Sequence, residues 1–113
     1  MIAQNVIVQA RRQLADEQGP QYRWPDKELI DYLNDGQNEI VRLRPDQLLQ
    51  ADGTIGTVSE PAALGDTLFL SDLWKQGLTD YVCWRAFSTD GADKANAEKA
   101  AAHQGNYKAR VAS

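Results

Sequence analysis

Residues 71–88 constrain this chain more than any other stretch. Leu73, Trp74, Gly77, Leu78, Tyr81, Val82, Trp84, Arg85 and Phe87 recur at helical spacing and cover more than half of one helix's circumference. A surface helix needs a single apolar stripe; a helix apolar nearly all round is central in its fold or sandwiched between subunits. Ser71 or Asp72 supplies its cap, and Asp90-Gly91 ends it. A thin, alanine-rich fourth helix follows over residues 94–111, capped by Asp93 or its neighbour, with Ala97, Ala100, Ala101, Gln104, Tyr107 and Val111 on one face. Trp74 and Trp84 stand ten residues apart and point in similar directions. At least one belongs to the core, which leaves the other for a subunit contact.

The first half predicts two further helices. Over residues 2–16, Ile2, Ala3, Val6, Ile7, Ala10 and Leu14 form an apolar stripe, with Arg11, Arg12 and Gln13 off it. Gly19-Pro20 closes that helix. The second spans residues 25–44. Pro25 suits a first turn, Asp26 and Glu28 complement the positive helix end, and Pro45 stops it. Leu29, Leu33, Gly36, Ile40 and Leu43 form its buried stripe, and Gly36 within that stripe predicts a backbone or ring packed against it. Tyr22, Arg23 and Trp24 precede it either as a staple or as an exposed anchor. Residues 46–70 combine Asp52-Gly53, Gly56, Pro61 and Gly65 with β-branched Thr54–Val58 and the short run Thr67–Leu70. They read as an extended, partly exposed loop with room for a small β pair, long enough to be a binding element. The fold class is therefore all-α: four helices in a single 113-residue domain, the last two forming a tight hairpin.

The chemistry of the residues narrows the functions. Net charge is −4 with a pI near 4.8, and the only local basic concentrations are Arg11-Arg12 and Arg42/Arg44. Stable duplex binding requires clustered cations, so specific nucleic-acid binding is disfavoured. One cysteine, Cys83, excludes an internal disulfide, and its apolar surroundings make it a small buried hydrophobe. No stretch is apolar enough to span a bilayer, and no signal peptide is evident. Asp31 and Asp35 lie with Lys27, Asn38, Glu39 and Arg42 on a face opposite the leucines, where i,i+4 ion pairs on a solvated surface are expected. The single histidine, His103, lacks a partner at metal-ligand spacing and reads as a surface or interface residue. No nucleophile elbow or phosphate-binding loop is present, so neither an enzyme nor a cofactor or metal site is expected.

Two blocks carry a family resemblance. Tyr22-Arg23-Trp24-Pro25 leads into a long helix that ends at Arg42-Leu43-Arg44-Pro45-Asp46, and residues 80–107 form the aromatic helix with its small-residue partner. Together they resemble the head-to-tail connector (adaptor) proteins of tailed bacteriophages. The resemblance implies a structural virion protein made in the host cytoplasm and located in the neck between capsid and tail. It implies a twelve-membered homo-oligomeric ring bound to the portal protein and presenting a platform to a tail or nozzle protein. DNA would pass through its channel without specific binding, which an acidic surface suits. Relatives often carry a larger β-rich insertion after the Arg-Pro, where this chain has only 46–70. Subunit contacts are expected at Arg42, Arg44, Trp24 and Trp84. The segment 106–113 is expected to dock on the portal, with Tyr107 and Val111 in apolar recesses and Lys108 and Arg110 at the rim. That segment would then be dispensable for the fold. The competing readings are a small helical nucleic-acid-binding regulator and a helical, dimeric partner-binding protein.

Overall fold

The first helix, α1 (Ala3–Leu14), buries Ala3, Val6, Ile7, Ala10 and Leu14, the stripe that its spacing predicts. The computed structural model describes residues 1–17, 22–89 and 94–113. α1 ends before the predicted Gly19-Pro20 stop, which lies outside the described residues. Ala15 turns the chain in the left-handed region with φ 55°, and the Asp16 N–H donates to the Arg11 carbonyl at 2.9 Å. Arg11, expected off the buried stripe, is instead only 5% exposed. Its guanidinium donates to Asp16 Oδ2 (2.9 Å), Asp26 Oδ1 (2.6 Å) and the Trp24 carbonyl (2.9 Å), and lies 3.6 Å over the Tyr22 ring. The Asp16 carboxylate also accepts the N–H groups of Arg23 and Trp24. A buried cation needs such saturation, and the planar guanidinium fork supplies it. The cluster ties the end of α1 to the start of α2.

α2 (Asp26–Leu43) buries Leu29, Leu33, Gly36 and Ile40, together with Ile30, Tyr32, Gln37 and Val41. A Cβ on Gly36 would come within 2.9 Å of the Tyr81 ring, so the predicted close approach is aromatic. Leu43, expected on the buried stripe, is 45% exposed, because the last turn of α2 borders an open groove rather than the core.

A 3-10 turn (Pro45–Leu48) leads into the long connection. Among the described residues it contains no strand: only isolated antiparallel bridges, Leu49 with Ile55 and Thr67 with Ile2. It is nonetheless strapped down. Fully buried Gln37 accepts the N–H groups of Phe69 and Leu70 and donates to the Ser59 carbonyl. Asn34 donates to the Pro61 carbonyl and Asn38 to Glu60. The strap also accepts the first N–H groups of α1, Ala3 on Asp66 and Gln4 on Leu64, groups that have no partner within the helix itself.

A second 3-10 turn (Asp72–Trp74) opens α3 (Lys75–Ser88), which packs against all three other helices. Every residue from Gly77 to Cys83 is buried, so the all-round apolar helix is central, as its pattern predicts. Leu73 departs from that pattern at 91% exposure, because it lies in the preceding 3-10 turn, out of phase with the helix. Cys83 is fully buried, and burial followed by the nearby Asp80 charge pushes its thiol up to about 12. α4 (Lys94–Ala112) buries only Ala100, Tyr107 and Val111; Ala97 and Ala101, expected on its inner face, are exposed. The residues expected to end α3 and cap α4, Asp90, Gly91 and Asp93, lie outside the described residues. The molecule is a flattened plate of 46 × 30 × 16 Å.

Candidate functional site

The last turns of α2 and α4 run side by side and leave an open groove of about 620 Å³ between them. Leu43, Tyr107 and Val111 line it with apolar surface, and Glu39, Arg42, Arg44 and Lys108 contribute charged groups. Tyr107 anchors the floor. Its hydroxyl donates to Glu39 at 2.8 Å, and its ring packs edge-on against Tyr81 and stacks on Trp84. Burial and the Glu39 hydrogen bond push its pKa well above the ordinary tyrosine value. Arg44 holds the end of α4: Nη1 donates to the main-chain oxygens of Val111 (3.0 Å) and Ser113 (2.9 Å), while Nε pairs with Asp46 at 3.3 Å. A cation bonded to the last carbonyls of a helix satisfies acceptors that have no partner within the helix.

Five sequence-predicted residues, Arg42, Arg44, Tyr107, Lys108 and Val111, therefore converge on one groove. Their roles differ from expectation. Tyr107 (1% exposed) and Val111 (8%) already fill this chain's own core, so neither is free to enter a recess of a partner. Arg44 is engaged internally and serves the fold. Arg42 and Lys108 are exposed, and among the described residues neither side chain makes a hydrogen bond or ion pair. Arg110 leaves the groove and pairs with Asp80, its Nε 3.6 Å from Oδ2. Trp24, offered as a subunit contact, is buried: it packs edge-on to Phe87 and donates its indole N–H to Thr89. The exposed-anchor alternative does not hold for Trp24, whose ring is taken up by Phe87 of α3 and by Thr89 just beyond it. Trp74 is buried, which meets the expectation of at least one core tryptophan, and Trp84 is half-buried against the Tyr81 and Tyr107 rings.

Sequence reasoning missed the Asp80–His103 pair. Asp80 is 2% exposed, and His103 Nδ1 lies 2.9 Å from its Oδ1, with the imidazole stacked on Phe87. His103 is therefore a helix–helix contact between α3 and α4 rather than a surface residue. The available signal was an aspartate inside an otherwise apolar run. On the expected acidic face, Asp31 is exposed, and Asp35 pairs with Arg85 of α3 at 3.2 Å instead of within its own helix. Arg85 in turn sits over the Tyr32 and Tyr81 rings.

Charge is distributed unevenly along the chain. Residues 45–74 hold five acids (Asp46, Asp52, Glu60, Asp66 and Asp72) and no Lys or Arg. α4 holds four cations (Lys94, Lys99, Lys108 and Arg110) against one acid, Glu98. Both surfaces border α2: Asn34, Gln37 and Asn38 bind the loop, whereas Glu39, Arg42 and Leu43 line the groove, Arg42 one turn beyond Asn38. Among the described residues no cluster of three or more His, Cys, Asp or Glu is placed to hold a metal, and no helix is long and apolar enough to cross a membrane. The chain matches no protein-family model, no curated protein and no solved structure.

Proposed function

We propose that the chain is a structural subunit of a head-to-tail connector, assembling into a ring between the portal and the tail of a tailed phage. The observation that carries this reading is the pair of unlike surfaces beside α2, an acidic loop and a cation-edged groove that no residue of 45–74 lines. A closed ring requires two different, mutually complementary patches on each subunit, whereas a two-fold dimer requires one self-complementary patch. The sequence blocks that carry the connector resemblance also pack on each other, through Gly36 on Tyr81, Asp35 on Arg85 and Glu39 on Tyr107. Arg44 adds its bonds to the end of α4.

In this reading the ring sits on the portal, offers a tail or nozzle protein its far face, and lets DNA pass without gripping it. The net charge of −4 favours sliding over binding. Portal contact through the C-terminal segment falls to the exposed Arg110, since Tyr107 and Val111 are committed to the core and Lys108 borders the α2–α4 groove. The direct test is sedimentation of the purified chain with its cognate portal. Co-sedimentation in stoichiometric rings supports the proposal; a chain that ignores the portal and instead retards duplex DNA refutes it.

A further inference from the structure

The tip of the long loop is a preformed knuckle. Leu49 and Ile55 bridge each other across a turn in which the Gln50 N–H donates to Thr54 O (2.8 Å), Gly53 N–H to Gln50 O (2.9 Å) and Gly56 N–H to Leu48 O (2.7 Å). Asp52 accepts both the N–H and the hydroxyl of Thr54, and Gly53 takes the positive φ of 85° that the turn demands. This bonding holds two apolar side chains in water, Leu49 at 60% and Ile55 at 72% exposure. Such rigidity is unneeded in a plain connection, and it lowers the ordering cost of any contact that the knuckle makes.

The groove offers the matching chemistry. Its exposed apolar lining is Leu43 and Ala112, with Tyr107 and Val111 nearly covered beneath, and Arg42 and Lys108 beside it are exposed cations with no hydrogen bond or ion pair among the described residues. Asp52 within the knuckle, and Glu60 and Asp66 farther along the same loop, accept hydrogen bonds only from neutral groups among the described residues. No loop residue lines the chain's own groove. Both are therefore available at once, the condition for head-to-tail propagation.

We infer that the Leu49–Ile55 knuckle of one copy seats in the α2–α4 groove of the next copy, its apolar pair on Leu43 and Ala112 and its acidic loop facing Arg42 and Lys108. This contact deepens the ring reading above and rests on it for the identity of the partner, a second copy of the same chain. Ile55 and Lys108 are both exposed, so cysteines at these positions leave the fold intact, and the native Cys83 is fully buried and silent toward mild oxidation.

The test mixes Ile55→Cys chains with Lys108→Cys chains under mild oxidation and compares the yield of mixed disulfide with that from Ile55→Cys and Lys94→Cys, a control at the other end of α4. The expected result is at least a tenfold excess of the 55–108 product, reduced several-fold when Arg42→Glu is added to the groove chain. Equal yields from the two pairs overturn the contact. Equal yields from chains that still form rings on the portal would reject this interface and leave the connector reading standing. Selective cross-linking by chains that ignore the portal would reject the connector reading and leave the interface.

Discussion

At the scale of single residues, packing around α3 carries the stability. Leu33 and Leu78 are fully buried on facing helices. Leu33→Ala or Leu78→Ala should each cost about 2–5 kcal/mol in denaturant unfolding, a loss that a domain of this size barely survives. A cost below about 1 kcal/mol would place these residues at an interface rather than in the core. Cys83 sets an alkaline limit. Its thiol is raised from 9.0 to about 12 by burial, and Tyr32 is raised from 10.0 to about 12 by burial and by its bond to Glu28. A group whose folded pKa is raised contributes fully below its ordinary value and loses that contribution as pH climbs toward the folded one. The thermal midpoint should therefore fall from about pH 9 to about pH 12. Cys83→Ala should flatten the onset of that fall, at about pH 8–9, where the thiol of the unfolded chain titrates ahead of the tyrosines, whose ordinary pKa is about 10. An unchanged slope would show that the thiol does not contribute.

At the scale of elements, the helices were legible because apolar spacing and proline punctuation are local signals. Pro25 and Pro45 bracket α2 in the sequence as they do in the fold, and Gly36 announced the ring that packs on it. What stayed hidden was long-range recruitment of polar groups. Arg11 is drawn inward by Asp16 and Asp26, Gln37 by the backbone of residues 59, 69 and 70, and His103 by Asp80 on another helix. Periodicity assigns such residues to solvent because their partners are set by tertiary contact, not by neighbours in sequence. The C-terminal segment shows the consequence. Residues 106–113 looked detachable, yet they carry Tyr107 and Val111 into the core, and Arg44 bonds their last carbonyls. Deleting them should lower the thermal midpoint and the helical circular dichroism of the isolated chain. A truncated chain with an unchanged midpoint would restore the docking-segment view.

At the scale of the whole molecule, the groove was half legible. The sequence pointed to Arg42, Arg44, Tyr107, Lys108 and Val111 without showing that they meet, because the meeting depends on the relative placement of α2 and α4. The structure sorts them into fold-bearing and free groups, and this changes which substitutions are informative. Arg42→Glu with Lys108→Glu leaves the core contacts untouched and should abolish ring assembly while preserving helicity and thermal midpoint. Reversal at Arg44 would instead release the end of α4 and confuse folding with assembly. If the chain is a connector subunit, it builds a ring through two unlike surfaces on a portal. Native mass spectrometry of the wild-type chain with its cognate portal tests that claim most directly. A single assembled species with one copy for each portal subunit is the predicted result; a free chain, or a two-fold dimer unaffected by the portal, would contradict it.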